Sequence, residues 1–355
     1  MKRMKKLISG MVCAALCVPF LVSCGGGGEK QSLKVYNAGE YIDTSLIPKF
    51  EKENNCTVVY ETFDSNESMY TKIRSGEKYD IIIPSDYMIE RLIKENSLQK
   101  IDVSKLKNYG GIIKSLLGQS FDPSNEYTVP YFWGSVGILY NKNEISKADL
   151  EKEGWNILKD TKYKGKLYMY DSERDSFMIA LKALGYSLNT DKTEELDAAY
   201  NWLVEQNETM APIYVGDEVI DSMISGNKDM AIVYSGDAAY IMSENPDLDY
   251  YEPFQGTNIW TDAMVMTKEC TNTDLAYKFM DFMTDPENAR ANSEAVGYSS
   301  AVQSAFDEIR DTVYKDIDAY VPRQDGKKDE YFRYQEPEVK KYCAELWTKV
   351  KSHGA

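Results

Sequence analysis

Four short segments of the 355-residue sequence bring acids and tyrosines together: Tyr36-Asn37-Ala38-Gly39-Glu40-Tyr41, Pro84-Ser85-Asp86-Tyr87, Tyr170-Asp171-Ser172 and Tyr234-Ser235-Gly236-Asp237. Paired carboxylates can hydrolyse glycosides, so the inventory alone leaves that chemistry open. Nucleophilic triads are a different matter. The single histidine, His353, sits at the end of the chain, where nothing holds an imidazole in a packed site. Histidine metal sites and histidine general bases fail on the same ground. No GxGxxG, GxxxxGK[ST] or GxSxG motif occurs, and no CxxC pair suggests zinc. Catalysis is therefore not expected, and neither a cofactor nor a metal. The formal net charge of −16 disfavours nucleic acid and draws in small cations, although acidity also simply keeps a protein soluble.

The elements that position these segments follow from periodicity. Apolar and β-branched runs predict strands at 33–36, 57–61, 79–84, 137–141, 166–170, 230–234, 250–254 and 263–267. Helical spacing predicts helices at 45–54, 67–75, 88–95, 176–184, 194–205, 219–225, 275–283 and 286–295. Thr284-Asp285-Pro286-Glu287 has a capping residue followed by proline in the first turn, the chemistry of a helix start. Alternating strands and helices imply mostly parallel sheets covered on both faces. Such sheets bind ligands at the carboxyl ends of their strands. Each acid-tyrosine segment stands at a strand end, so together they outline a cleft.

The N-terminus carries four cations, Lys2, Arg3, Lys5 and Lys6, then an apolar run from Leu7 to Val22 that is short for a membrane span. It ends in Leu21-Val22-Ser23-Cys24 and a Gly-rich stretch. This resembles a bacterial lipobox, with residues 1–23 as leader, Cys24 as the lipidation site and residues 24–31 as a flexible tether. Loss of the leader's cations would take the mature charge to about −20. Roughly 330 residues remain, enough for two lobes with their own cores.

The cleft segments also resemble a family. YNAGEYID, ETFDSNESMYTKI, YDIIIPSDYMIERL, DPSNEYTVPYFWGSVGILYN, YKGKLYMYDSERDSFMIALKALGYSLNT, MAIVYSGDAAY, NIWTDAMVMT and VGYSSA occur in the order found in bacterial spermidine/putrescine-binding proteins, the receptors of polyamine ABC importers. The resemblance runs from about residue 33 to the C-terminus and is least clear over the last thirty residues. It implies an α/β, two-lobed type II periplasmic-binding-protein fold with two hinge crossings, near 135–139 and 260–263. The first lobe would comprise residues 32–136 and 262–306, the second 137–261 and 307–355. It further implies an extracytoplasmic, membrane-tethered monomer that hands its ligand to permease subunits.

Position by position, the resemblance assigns ligand contacts to Tyr41, Ser85 and Tyr87 of the first lobe. Asp171, Ser172 and Asp175 fall in the family's acidic loop; Asp175 aligns with one amine-binding acid, and either Ser172 or Asp171 with the other. Tyr234 stands where the family often has Trp. Trp260 matches an aromatic wall, Asp262 the amine-binding acid, Tyr298 another aromatic contact and Gln335 a C-terminal contact. Each also has an ordinary reading: Trp260 and Tyr298 as core, Asp171 and Asp175 as helix caps, Glu40 and Asp237 as surface or capping residues. The physics suits a polyamine. Buried ammonium groups must meet carboxylates. Burying four methylenes contributes roughly 3 kcal/mol, and micromolar binding needs about 8. Charge pairing and cation–π contacts of about 0.5–2 kcal/mol each must supply much of the rest. Two departures bear on the ligand: Ala38 replaces a tryptophan common in the family, and Tyr234 replaces another. A different organic cation, amino acid derivative or sugar in the same cleft, a carbohydrate hydrolase and an adhesin with a vestigial cleft are the other readings.

Overall fold

The computed structural model describes residues 30–323 and 326–353; the expected leader and Cys24 lie outside them. In chain order the strands are β1 (Gln31–Ala38), β2 (Cys56–Phe63), β3 (Ile81–Ile82), β4 (Val129–Asn141), β5 (Leu167–Tyr170), β6 (Ile213–Val215), β7 (Met230–Tyr234), β8 (Leu248–Tyr251), β9 (Ile259–Met266) and β10 (Ser299–Ser300). The helices are α1 (Leu46–Asn54), α2 (Asn66–Arg74), α3 (Asp86–Lys94), α4 (Lys147–Glu153), α5 (Glu173–Ala183), α6 (Thr193–Met210), α7 (Val219–Ile224), α8 (Ser235–Glu244), α9 (Thr273–Met283), α10 (Pro286–Val296), α11 (Gln303–Asp311) and α12 (Pro337–Ser352).

The strands run β2-β1-β3-β9-β4-β7-β5-β6, with β8 and β10 pairing to β4. At both ends of this order the ladders are parallel: β1 with β2 and β3, β5 with β6 and β7. Every antiparallel ladder involves β4 or β9. These two strands form the seam. β4 pairs with β9 from Val129 to Ser135 and with β7 from Val136 to Tyr140. Its residues up to Tyr140 are all buried, the run expected of a strand covered on both faces.

Separate cores lie on either side of the seam. Leu33, Val35, Phe50, Ile81, Met264 and Phe279 pack in one, and Tyr36, Met69, Ile82 and Met88 form its companion on the other face of that sheet. Beyond the seam, Trp155, Leu167, Met178, Trp202 and Leu346 make the second core, which includes residues of α5, α6 and α12. A further cluster around Trp133, Val233, Ala238 and Phe306 links the two sides. Helix starts follow local chemistry. Asp285 accepts from the backbone N–H groups of Glu287 and Asn288, with Pro286 in the first turn of α10. Ser172 accepts from Asp175 N and starts α5 at Glu173, three residues earlier than the spacing predicted.

Candidate ligand-binding site

At the seam, the strand ends deliver tyrosines and aspartates to one cluster. Tyr41 follows β1 in a loop fixed from three directions. Its carbonyl accepts from Asn37 Nδ2 at 3.2 Å and Tyr131 Oη at 2.8 Å, and Asn292 Nδ2 donates to that tyrosine oxygen at 2.8 Å. So held, Tyr41 Oη donates to Asp262 Oδ2 at 2.7 Å. Asp262 and Trp260 are two apart on β9 and so share a face. Ser85 forms a backbone bridge with Asp262, and its backbone N–H and hydroxyl both bond the Asn66 side chain, at 3.1 and 3.0 Å. Behind it, the fully buried Asp86 accepts from Tyr87 N at 2.6 Å and Thr261 N at 3.4 Å, tying the start of α3 to β9.

Across the seam the same pairing recurs. Tyr234, the last residue of β7, donates to Asp175 Oδ2 at 2.9 Å. Tyr298 donates to Asp237 Oδ1 at 2.9 Å, and Tyr170 to Asp217 Oδ1 at 2.9 Å. The rings meet edge to face: Trp260 with Tyr298 at 5.5 Å and Tyr234 at 6.1 Å, Tyr41 with Tyr298 at 5.3 Å, Tyr170 with Tyr234 at 5.2 Å. Two glycines make room for them. A Cβ on Gly134 would lie 2.4 Å from Trp260 Cζ2, and one on Gly236 would lie 2.4 Å from the Tyr298 ring.

The electrostatics are those of acids short of counter-charge. Burial raises Asp262 to about 6, with the nearby Ser85 and the Tyr41 hydroxyl opposing the rise. Asp262 Oδ1 is buried and has no hydrogen-bond partner among the described residues. Asp237 is pushed up to about 7 by burial, with Asp217 adding to the rise and Tyr298 opposing it. Burial also raises Asp175, despite its bonds to Ser172 and Tyr234 and the nearby Arg174. Asp86 is driven well above the carboxylate range by burial, and the Asp262 charge adds to this. Three or more carboxylates removed from bulk water gain most from a partner that is itself cationic.

Tyr41, Asp175, Tyr234, Trp260, Asp262 and Tyr298 come together here, with Ser85 against Asp262 and Tyr87 at the edge. Three other expected contacts do not join them. Asp171 is exposed and paired with Lys351 of α12 at 2.6 Å. Ser172 caps α5 and thereby seats Asp175. Gln335 follows Tyr334 in the approach to α12 and makes no hydrogen bond to the cluster. Asp237, read from sequence as a surface or capping residue, does lie in the first turn of α8 but also faces the rings. The signal that could have found it is an acid three residues after a strand-end tyrosine, on the same side of the incoming helix as that strand's end. Among the described residues no cluster of His, Cys, Asp and Glu could hold a metal ion, and no helix is long and apolar enough to cross a membrane.

Buried acids and aromatic rings gathered at the seam of two α/β halves are the arrangement expected of a receptor for a small solute, and comparison with known proteins agrees. The chain belongs to the bacterial extracellular solute-binding protein family, whose sequence profile spans residues 45–319. This is a family of transport receptors, not of enzymes. Among its relatives is the spermidine/putrescine-binding periplasmic protein of Escherichia coli strain K12, 30% identical over 312 residues, 87% of this chain and 89% of that one. The putrescine-binding periplasmic protein SpuD of Pseudomonas aeruginosa is 28% identical over 91% of this chain and 93% of its own. Among solved structures, the spermidine/putrescine ABC transporter substrate-binding protein PotD of Streptococcus pneumoniae superposes with a TM-score of 0.80 at 36% identity, covering 92% of this chain and all of that one. The putative spermidine/putrescine ABC transporter protein of Listeria monocytogenes gives 0.82 at 38% identity, covering 91% and 99%. The fold is accordingly the two-lobed type II solute-binding fold.

Proposed function

We propose that this protein is the receptor of an ABC importer, capturing a polyamine, spermidine and/or putrescine, between its lobes and delivering it to the permease. The observation that carries this reading is the convergence of Asp262, Asp175 and Asp237 around the Trp260, Tyr234, Tyr298 and Tyr41 rings. The acids receive ammonium groups and the rings flank the methylenes between them. Ser85 and Tyr87 complete the first-lobe wall. Asp171 and Gln335 are left outside this contact set, and Ser172 acts by seating Asp175. The names of the relatives support the choice of ligand.

In this reading no reaction is catalysed. Residues 32–136 with 262–306 form one lobe and 137–261 with 307–355 the other, and closure over ligand is what the permease senses. The lipobox-like segment anchors the mature chain through Cys24, and the protein acts as a monomer. Isothermal titration with putrescine and then spermidine tests the function. Micromolar or tighter binding that is lost in Asp262→Ala supports it. Heat-silent titrations, with an unchanged melting temperature at high ligand, would refute the polyamine assignment and leave another small molecule for the same cleft.

A further inference from the structure

Beside the ligand cluster, charged side chains from opposite sides of the seam meet. Glu67 lies in the first turn of α2, whose Met69 packs with Met88 of α3 in the first half's core. Arg174 and Lys340 lie on α5 and α12, whose Phe177, Met178, Cys343 and Leu346 belong to the second. Lys340 Nζ is 2.6 Å from Glu67 Oε1, and Arg174 Nη2 is 4.0 Å from the same oxygen. Tyr87 Oη donates to both Glu67 oxygens at 3.2 and 3.3 Å. The Arg174 guanidinium covers the Tyr87 ring at 3.8 Å and approaches Phe332 at 5.1 Å.

These contacts form one network, not a set of isolated surface pairs. Arg174 is 17% exposed at its side chain, and its sequence neighbour Asp175 is the buried acid bonded to Tyr234. Burial raises Glu67, but Lys340 and Arg174 outweigh that and hold its carboxyl below the usual range. A second crossing reinforces the first. Tyr334 N donates to Glu90 Oε2 of α3 at 2.8 Å, and the Tyr334 ring lies 4.9 Å from Lys94 Nζ. An exposed pair on one rigid body contributes little to stability. A pair that forms only when two bodies meet adds its whole energy to the closed arrangement, and cation–π contact adds more where water is excluded.

We propose that Glu67, Arg174 and Lys340 form an ionic clasp between the two halves that positions Tyr87 and Asp175 for ligand capture. The clasp is made as the halves meet and broken as they part. They are positioning residues: they act on the ligand through Tyr87, Asp175 and the closure equilibrium. The ligand half of this inference rests on the polyamine reading; the clasp itself does not.

The test uses Lys340→Met, Glu67→Gln and the double variant, in calorimetry, stopped-flow dissociation and small-angle scattering. Each single change weakens putrescine binding by about three- to thirtyfold, chiefly through faster dissociation. The double variant binds about as weakly as the worse single one, because the two act as a pair. Native affinity falls as NaCl is raised, the variants lose the clasp's share of that dependence and keep the share due to ammonium–carboxylate contact, and their ligand-induced compaction is smaller. A merely stabilising role would lower the melting temperature and leave the salt dependence intact. Native affinity and salt dependence in the double variant, or single effects that fully add, overturn the clasp. If the native protein binds neither putrescine nor spermidine, the polyamine reading fails alone. The clasp then stands or falls on whether the double variant shows a larger radius of gyration than the native protein at low salt.

Discussion

Polyamine binding should be strongly pH-dependent, and the direction follows from the raised acids. An ammonium group stabilises the carboxylate, so each acid that carries a proton in the unliganded protein must release it on binding. Asp262, at about 6, is mostly ionised near neutrality; by about pH 5 roughly ten molecules in eleven carry its proton, a tenfold loss of affinity or about 1.4 kcal/mol. Asp237, at about 7, is half protonated at neutrality; the same pH drop costs it roughly fiftyfold. If ammonium groups contact both, the combined loss from neutral to about pH 5 is on the order of 500-fold. The acids affect stability in the opposite sense. Their folded pKa values lie above the unfolded 3.8, so what they contribute to folding is fully present at low pH and is lost as pH rises through about 6 and 7. Acidification from neutrality should thus add stability from these groups while shrinking the thermal shift induced by ligand. Calorimetry in two buffers of different ionisation heat counts the released protons directly. Equal affinity at both pH values, with no buffer-dependent heat, would refute the reasoning.

Other perturbations separate the roles of individual residues. Asp171→Ala should leave affinity within about twofold by titration calorimetry, because that carboxylate is exposed and spends its charge on Lys351. Tyr234→Phe removes the hydroxyl that donates to Asp175. Binding should weaken by about three- to tenfold and its pH midpoint should move upward, read from titrations across the acidic range. Gly236→Ala places a methyl 2.4 Å from the Tyr298 ring, costing about 1–3 kcal/mol of stability by thermal melt and weakening ligand binding with it.

What sequence reveals here depends on whether the determinant is local. Strands β1, β2, β5 and β7 and helices α1, α2, α9 and α10 were legible from apolar spacing and turn chemistry; Asp285-Pro286 announced α10 outright. Strand β4 was read only from 137, because Tyr131, Phe132, Trp133 and Gly134 have no alternation to betray a strand buried on both faces. Helix α8 was missed since Tyr234 ends β7 and Ser235 begins the helix with no loop between; Gly236 in its first turn further disguised it. Pro337 marks the start of α12, and Val339, Tyr342, Cys343, Leu346, Trp347 and Val350 follow it at helical spacing, so this helix too is legible in the sequence although none is predicted there. Within the acidic loop, Asp171, Ser172 and Asp175 could not be ranked by adjacency. Which of them faces the rings depends on the turn at which α5 starts, and that is fixed by the Ser172 hydroxyl. Asp237 escaped for the same reason, its orientation being set by a helix whose beginning was not seen.

The place of β9 in the sheet also bears on how the chain is made. It lies between β3 and β4, yet it is synthesised more than a hundred residues after either. The first half therefore cannot complete its sheet until residue 266 has emerged, however long its earlier strands have waited. Contacts of such sequence separation make folding slow and leave hydrophobic strands uncovered in the meantime. Until β9 joins, β3 lacks its partner on that side, so the first sheet stays unfinished while most of the polypeptide is being made.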